Sequence, residues 1–371
     1  MVYRVIGLMS GSSLDGLDIA FAEFHETAGS WSYTLRHASC YEYSPEWLEK
    51  LKSATSLNAL DYHLLDAEYG HYLGAQVNRF IDEHDIHYQV QLISSHGHTT
   101  FHVPEKKMTA QLGNGAAIAV VTGINVVSDL RAADVALGGQ GAPIVPIGEQ
   151  LLLGDYLFFL NLGGIANISF NDPENYIAFD VCPANRVLNM LAKGGGKTFD
   201  DGGQIAEKGS VIESLLNLLN DLPYYSLPYP KSLSNNFGTD IVFPLINERN
   251  YDYDDALRTY VEHICEQVVK AVESLQSEFR LRTISRLAGQ KMLITGGGAK
   301  NSFLISRLTT MLSRLNVPVE IPSDELADYK EAIIMGLIGV LRWREENNTL
   351  ASVTGATRNS IGGAVWMGQE A

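Results

Sequence analysis

The sequence predicts an α/β protein built as two duplicated domains with a cleft between them, and three observations lead there. Segments with strand character alternate with segments of helical periodicity along the chain. A strand, a glycine turn, two further strands and then helices begin at residue 2, and the same order begins again at residue 157. The chain has 371 residues, 46% of them apolar, which is more than one ordinary core accommodates. Ligands usually sit in clefts between domains. The predicted division gives residues 1–130 and a C-terminal return at about 353–371 to the first domain, and residues 131–352 to the second.

In the first domain, residues 3–8, 17–24 and 31–43 read as consecutive strands. Ser44-Pro45-Glu46 opens a helix, with Ser44 as cap and Pro45 in the first turn. Asn58 caps a longer helix reaching about residue 85, whose predicted apolar face holds Leu60, Leu64, Leu65, Tyr72, Leu73, Val77 and Phe80. Residues 90–95 and 108–112 read as strands, 115–122 as a short helix of small residues, and 124–128 as a strand leading into Asp129. The second domain opens with strands 157–162 and 165–170 around Gly163 and Gly164, then strand 176–180. Helices are predicted at 185–192, 211–219, 254–279 and 302–315, with a buried strand at 292–295 ending in three glycines. Residues 325–346 make a long helix and 362–367 a returning strand.

The formal net charge is −16 and no block of Lys or Arg occurs, which argues against nucleic acid or an anionic membrane as main partners. A phosphate ligand stays open, because backbone N–H groups and a metal ion hold phosphate without a basic surface. Cys40, Cys182 and Cys265 form no CxxC pair, which fits a reducing compartment and gives no disulfide framework or zinc motif. No charged, apolar leader pattern and no bilayer-length apolar run is present, so a cytoplasmic location is the expectation.

The most informative segment is Gly7-Leu8-Met9-Ser10-Gly11-Ser12-Ser13-Leu14-Asp15-Gly16-Leu17-Asp18. It joins two apolar strands by a turn whose exposed N–H groups can wrap an anion, with Ser10, Ser12 and Ser13 adding hydroxyl donors. Asp15 and Asp18 make sense beside a phosphate if a hard cation such as Mg²⁺ lies between. Read alone, the segment is also an ordinary Gly/Ser turn, and Asp18 also fits a structural Asx residue.

Six motifs occur in order: GLMSGSSLDGLD, SHGHTTFH, SDLRAADVALGGQGAPIVP, LNLGGIANIS, FDVCPANRVLN and ITGGGAKN. Together they resemble the anhydro-N-acetylmuramic acid kinases, of the superfamily of actin, the heat-shock ATPases and the sugar kinases. The resemblance runs from about residue 6 to residue 365. It implies two duplicated RNase H-like (actin-like ATPase) domains. It also implies a kinase that uses ATP and Mg²⁺. Water opens the anhydro bridge of 1,6-anhydro-N-acetylmuramic acid, and the freed 6-hydroxyl is phosphorylated to give N-acetylmuramic acid 6-phosphate in cell-wall recycling. A homodimer is compatible with it.

By this resemblance Gly11, Ser12, Ser13, Leu14, Asp15, Gly16, Leu17 and Asp18 bind the ATP phosphates, with Asp15 as the candidate Mg²⁺ ligand. Gly163 and Gly164 face the same phosphates, and a tight hairpin with glycines at positive φ is the plainer alternative. Gly296, Gly297 and Gly298 lie beside the adenosine, or serve only close strand–helix packing. Asp180 is the general base that activates water, or else caps the following helix. His96 borders the sugar site, although His96, His98 and His102 would also suit a metal hydrolase. Arg131 meets the lactyl carboxylate, or joins Asp129 and Asp134 in an ion-pair network. Asp134, Asn185 and Glu331 complete the implied sugar contacts. The sequence departs from the family pattern after Asp180, where Thr-Gly-Pro-Gly-Asn is usual and Val181-Cys182-Pro183-Ala184-Asn185 stands here, and at His98, where Gln is usual. These changes put the shape of the sugar pocket in question. They keep two alternatives in view: a kinase of the same superfamily acting on another sugar, and a sugar- or nucleotide-binding regulator without catalysis.

Overall fold

The structure, a computed structural model, describes residues 1–11, 14–172, 176–229, 231–234, 236–249, 251–283 and 291–368. The chain divides into two compact units, Met1–Leu153 with Asp328–Ala371, and Gly154–Ala327.

The first unit carries a mixed sheet. β1 (Val2–Ser10), β2 (Leu17–Thr27) and β3 (Ser30–Tyr41) form an antiparallel meander. β4 (Leu92–Val103) runs parallel to β1, and β6 (Val126–Ser128) runs parallel to β4. β5 (Met108–Leu112) pairs β4, and the last strand, β12 (Ala364–Trp366), closes on β6. The second unit repeats the plan. β7 (Tyr156–Leu162), β8 (Ile165–Phe170) and β9 (Ile177–Pro183) form the meander, β10 (Lys291–Thr295) runs parallel to β7, and β11 (Val319–Glu320) runs parallel to β10. Each sheet therefore has the order third, second, first, fourth, fifth, counting strands within its unit and leaving out β5 and β12. The duplication expected from the repeated hairpin is present as two mixed α/β units.

Alternation along the strands explains the layering. In β1, Ile6 and Leu8 enter a core cluster with Tyr69, Leu73, Val77 and Phe80 of the helix Ala59–His84. Gly7 faces the other way, against the helix Asp324–Trp343, where a Cβ would lie 1.9 Å from Ala332 O. The absent side chain is what lets helix and sheet approach. In the second unit, Phe158, Leu160, Leu162 and Ile168 pack with Leu257, Tyr260, Ile264, Val268 and Val272 of the helix Tyr253–Thr283.

The predicted caps form. Ser44 accepts from Trp47 N–H and Asn58 from Asp61 N–H, and the helix predicted from residue 302 is capped by Asn301, which accepts from Leu304 N–H. Other expectations need correction. Leu60 and Leu64 are exposed, because the buried stripe runs through Leu65, Tyr69, Leu73 and Val77, one position further round the helix. The segment SHGHTTFH is strand, since β4 continues to Val103 and turns back into β5. Residues 131–153 and 328–352 pack in the first unit, where Lys330 pairs with Glu149 at 2.9 Å and Thr354 bonds Asp134. The first unit is thus larger than the sequence suggested. Among the described residues no helix is long and apolar enough to cross a membrane.

Candidate functional site

The first glycine hairpin joins β1 to β2. Leu14 N–H donates to Gly11 O at 3.3 Å, and Leu14 has φ of 61°. Asp15 is exposed. Gly16 is buried, and a Cβ there would lie 2.6 Å from Cys40 Sγ and 2.8 Å from Tyr41 O. Leu17 is in the core, paired with Ser10 and Tyr41. Gly16 and Leu17 therefore hold the hairpin to β3, and the side chain of Leu17 does not face a ligand. Ser10 also turns inward: its hydroxyl accepts from Tyr43 Oη at 2.7 Å and meets His98 Nδ1 at 3.1 Å. Ser12 and Ser13 lie outside the described residues.

Asp18 is half-buried on β2 opposite Cys40. Burial pushes its carboxyl above the usual carboxylate range, and Glu331, Asp328 and Asp15 push the same way, while a bond with Cys40 opposes them. The Cys40 thiol is pushed up to about 12, by burial and then by Asp18. Glu331, exposed on the helix Asp324–Trp343, also supports the charge of Arg131. The hairpin, Glu331 and Arg131 are thus neighbours within one unit, although 313 residues separate Asp18 from Glu331 in the chain (331 − 18).

A cavity of about 280 Å³ opens beside this hairpin, lined by Ser10, Gly11, His96, Thr99, His102 and Arg131 among others. His96 is 3% exposed, and burial, with Arg131 adding to it, pushes its imidazole down to about 3. Arg131 Nε donates to His96 Nε2 at 2.8 Å, so the ring proton belongs on Nδ1, which meets Gly97 O at 2.9 Å. Arg131 Nη1 donates to Gly141 O at 2.5 Å. The other terminal nitrogen has no hydrogen bond, and no carboxylate lies at ion-pair distance, among the described residues. The ion-pair network weighed for Asp129, Arg131 and Asp134 does not form. Asp129 instead accepts from Ser128, and Asp134 is 1% exposed, with its oxygens on Gly141 N–H and Thr354 Oγ1 at 2.7 Å each. Asp134 holds a loop and is closed to direct contact with a ligand.

His96, His98 and His102 do not converge. They bond Arg131, Ser10 and Thr109 respectively. Among the described residues no group of three or more His, Cys, Asp or Glu is arranged to hold a metal ion.

In the second unit, Gly163 and Gly164 connect β7 to β8, and neither has positive φ. A Cβ on Gly163 would come no nearer than 3.4 Å to other atoms, and one on Gly164 no nearer than 3.7 Å. Neither backbone conformation nor crowding requires glycine here. The carbonyls of both residues accept from the start of the helix Asn185–Gly194. Asn185 Nδ2 donates to Leu162 O at 2.8 Å. The triple-glycine turn adjoins, because Thr295 pairs with Asn161. Gly296 has φ of +83°, and its Cβ would meet Asn161 Oδ1 at 2.5 Å, while a Cβ on Gly298 would meet Leu162 Cβ at 2.6 Å. Gly297 has only Asn185 Nδ2 nearby, at 3.7 Å. Two of the three glycines are thus required by packing, and the middle one is not. Asn185, expected with the sugar contacts, stands with this glycine pair and turn.

Asp180 faces Asn167 across β8 and β9. Its carboxylate accepts from Asn167 Nδ2 and, at 2.7 Å, from Leu233 N–H. Burial raises its pKa, and those two donors pull it back. It does not cap the next helix, whose N-cap is Ala184 without a side-chain bond. The altered residues Val181, Cys182 and Ala184 are each 3% exposed or less and belong to the core cluster, and the Cys182 thiol is pushed up by burial. A larger cavity of about 420 Å³, bordered by Phe179, Val181, Lys231 and Lys270, does not include Asp180.

Sequence reasoning missed Asn167 and Leu233 at the carboxylate of Asp180, and Gly141 and Thr354 behind Arg131. Asn167 and Gly141 stood inside recognised motifs, whereas Leu233 and Thr354 carried no sequence signal.

Comparison with known proteins identifies the family. The family model described as anhydro-N-acetylmuramic acid kinase matches residues 3–368. Proteins named anhydro-N-acetylmuramic acid kinase from Hydrogenovibrio crunogenus, Sulfurovum sp. and Pasteurella multocida are 31%, 32% and 32% identical. These matches cover 97%, 98% and 97% of this chain and 97%, 99% and 96% of theirs. Among solved structures, the activator of the 2-hydroxyisocaproyl-CoA dehydratase from Clostridium difficile with bound ADPNP is similar at a TM-score of 0.40 and 14% identity, covering 92% of this chain and 96% of that one. The chain belongs to the anhydro-N-acetylmuramic acid kinase family and is a phosphotransferase.

Proposed function

We propose that this chain uses ATP to convert 1,6-anhydro-N-acetylmuramic acid into N-acetylmuramic acid 6-phosphate, with Asp180 activating the water that opens the anhydro bridge. Water adds to the anomeric carbon and gives its proton to Asp180. The anomeric C–O bond breaks, and the released 6-oxygen takes the γ-phosphoryl group as the bond from that phosphorus to the β–γ bridging oxygen breaks and ADP leaves. Supply of the sugar belongs to cell-wall recycling in the cytoplasm. The observation that carries this reading is the state of Asp180: a half-buried carboxylate with raised pKa, oriented by two donors, in the unit that also holds the Gly163 and Gly164 hairpin and the Gly296 turn. A base needs both a fixed geometry and a pKa lifted toward the working pH.

Glycines that the fold does not require, Gly163, Gly164 and Gly297, support close approach of phosphates to backbone N–H groups. In the first hairpin Gly11, Leu14 and Asp15 offer the same kind of surface, and Gly16, Leu17 and Asp18 hold them in place. Mg²⁺ is usually bound through one or two carboxylates, waters and phosphate oxygens rather than an all-protein cage. The exposed Asp15 beside Asp18 fits that donor set. Bound there, the ion would screen the triphosphate. His96, Arg131 and Glu331 suit a sugar bearing hydroxyls and a carboxylate, with Arg131 offering its unused nitrogen.

The test is Asp180→Asn. We expect kcat to fall on the order of a thousandfold, with KM for ATP within about twofold. In labelled water the native chain should place the label on the anomeric oxygen of a phosphorylated product. Near-native turnover of a folded Asp180→Asn protein overturns the assignment.

A further inference from the structure

We propose that Thr354, acting with Asp134, is a positioning residue that aims Arg131 at the carboxylate of the sugar. The proposal rests on the reading of Arg131 given above. Thr354 O accepts from Gln140 N–H at 2.8 Å, and Thr354 Oγ1 donates to Asp134 Oδ1 at 2.7 Å. Asp134 Oδ2 accepts from Gly141 N–H at 2.7 Å, and Asp134 O accepts from Gly139 N–H at 2.9 Å. Gly141 O then accepts from Arg131 Nη1 at 2.5 Å. Thr354 and Asp134 are each 1% exposed, so these bonds have no competition from water.

The geometry points to orientation rather than general stability for two reasons. First, the loop is built around the carboxylate of Asp134: a Cβ at Gly139 would lie 2.2 Å from Asp134 Oδ2, and Gly141 has φ of +64° with its Cβ 2.5 Å from Val135 Cγ2. Second, the chain of bonds ends on a guanidinium whose other protein partner is a neutral histidine. Arg131 is thereby fixed in direction without being neutralised at ion-pair distance by a described carboxylate. Its remaining N–H groups, one on Nη1 and two on Nη2, are left for an anion in a set geometry, which is what paired carboxylate recognition requires.

The test uses the full chain and two substrates, anhydro-N-acetylmuramic acid and the corresponding anhydro-amino-sugar without the lactyl group. Thr354→Val should raise KM for the muramic sugar about tenfold, the loss of roughly one charge-linked bond, and reduce the preference for the carboxylate-bearing sugar. KM for ATP should be unchanged, and Thr354→Ser should behave like the native chain. Asp134→Asn keeps the volume but leaves a single acceptor oxygen for both Gly141 N–H and the Thr354 hydroxyl, so it should show the same split in smaller measure and serves if Thr354→Val does not fold. Arg131→Gln is the control. If it leaves the preference intact, the reading of Arg131 falls. If it abolishes the preference while folded Thr354→Val and Asp134→Asn both keep it, the positioning role falls and the reading stands. Equal rises in both KM values would make Thr354 merely structural and overturn the proposal.

Discussion

The two glycine hairpins occupy the same place in two copies of one strand order, yet their glycines answer different demands. In the first, Gly7 and Gly16 are needed by the fold, one against the helix Asp324–Trp343 and the other against β3. In the second, Gly163 and Gly164 have ordinary φ and room for a methyl group. The first hairpin adds carboxylates, Asp15 and Asp18, and the second adds none at its tip. Equivalent topology therefore does not make equivalent chemistry. A glycine that packing requires says little about ligands, and one that packing does not require points outward.

Substitutions can break this contrast. Gly7→Ala should cost about 3 kcal/mol or more, because a Cβ 1.9 Å from a helix carbonyl forces backbone movement. Chemical denaturation measures it, and a loss under 1 kcal/mol would contradict the close approach. Gly16→Ala should cost about 1–3 kcal/mol, since part of its clash is with the thiol of Cys40. In the second hairpin, Gly164→Ala should leave stability within about 0.5 kcal/mol while raising KM for ATP about tenfold. Unchanged stability together with unchanged KM would remove the phosphate role from that hairpin.

The smallest effect concerns pH. Asp180 must be deprotonated to accept a proton, so kcat falls as pH drops through its pKa. Asn167 donates to the charged form and pulls that pKa down against burial. Asn167→Ala should therefore move the acid limb of the kcat profile to higher pH, by less than about 1 unit. A shift to lower pH would contradict the hydrogen-bond geometry.

Much of the fold was legible because its signals are local. Ser44 and Asn58 announced helix starts that form, and the strand pattern announced both meanders. Local signals also misled. The strand expected at 90–95 was ended too early, because pairing with β5 and the positive φ of Gly97 carry it on as bent strand to Val103. The Leu60 and Leu64 error was one position of helical phase, which a 26-residue helix with exposed leucines does not settle by itself.

The sequence by itself determined the α/β class, the duplication, the family and the motifs that carry Asp180, His96, Arg131 and the glycine turns, because each is written in short stretches whose spacing is set by strand and helix periods. Only the tertiary structure decided that Asp134 serves Arg131 from behind, that Val181, Cys182 and Ala184 face a core, and that Asn167 and Leu233 orient Asp180. The physical reason is distance along the chain. Thr354 and Asp134 are 220 residues apart, and a hydrogen bond between such partners leaves no period in either segment.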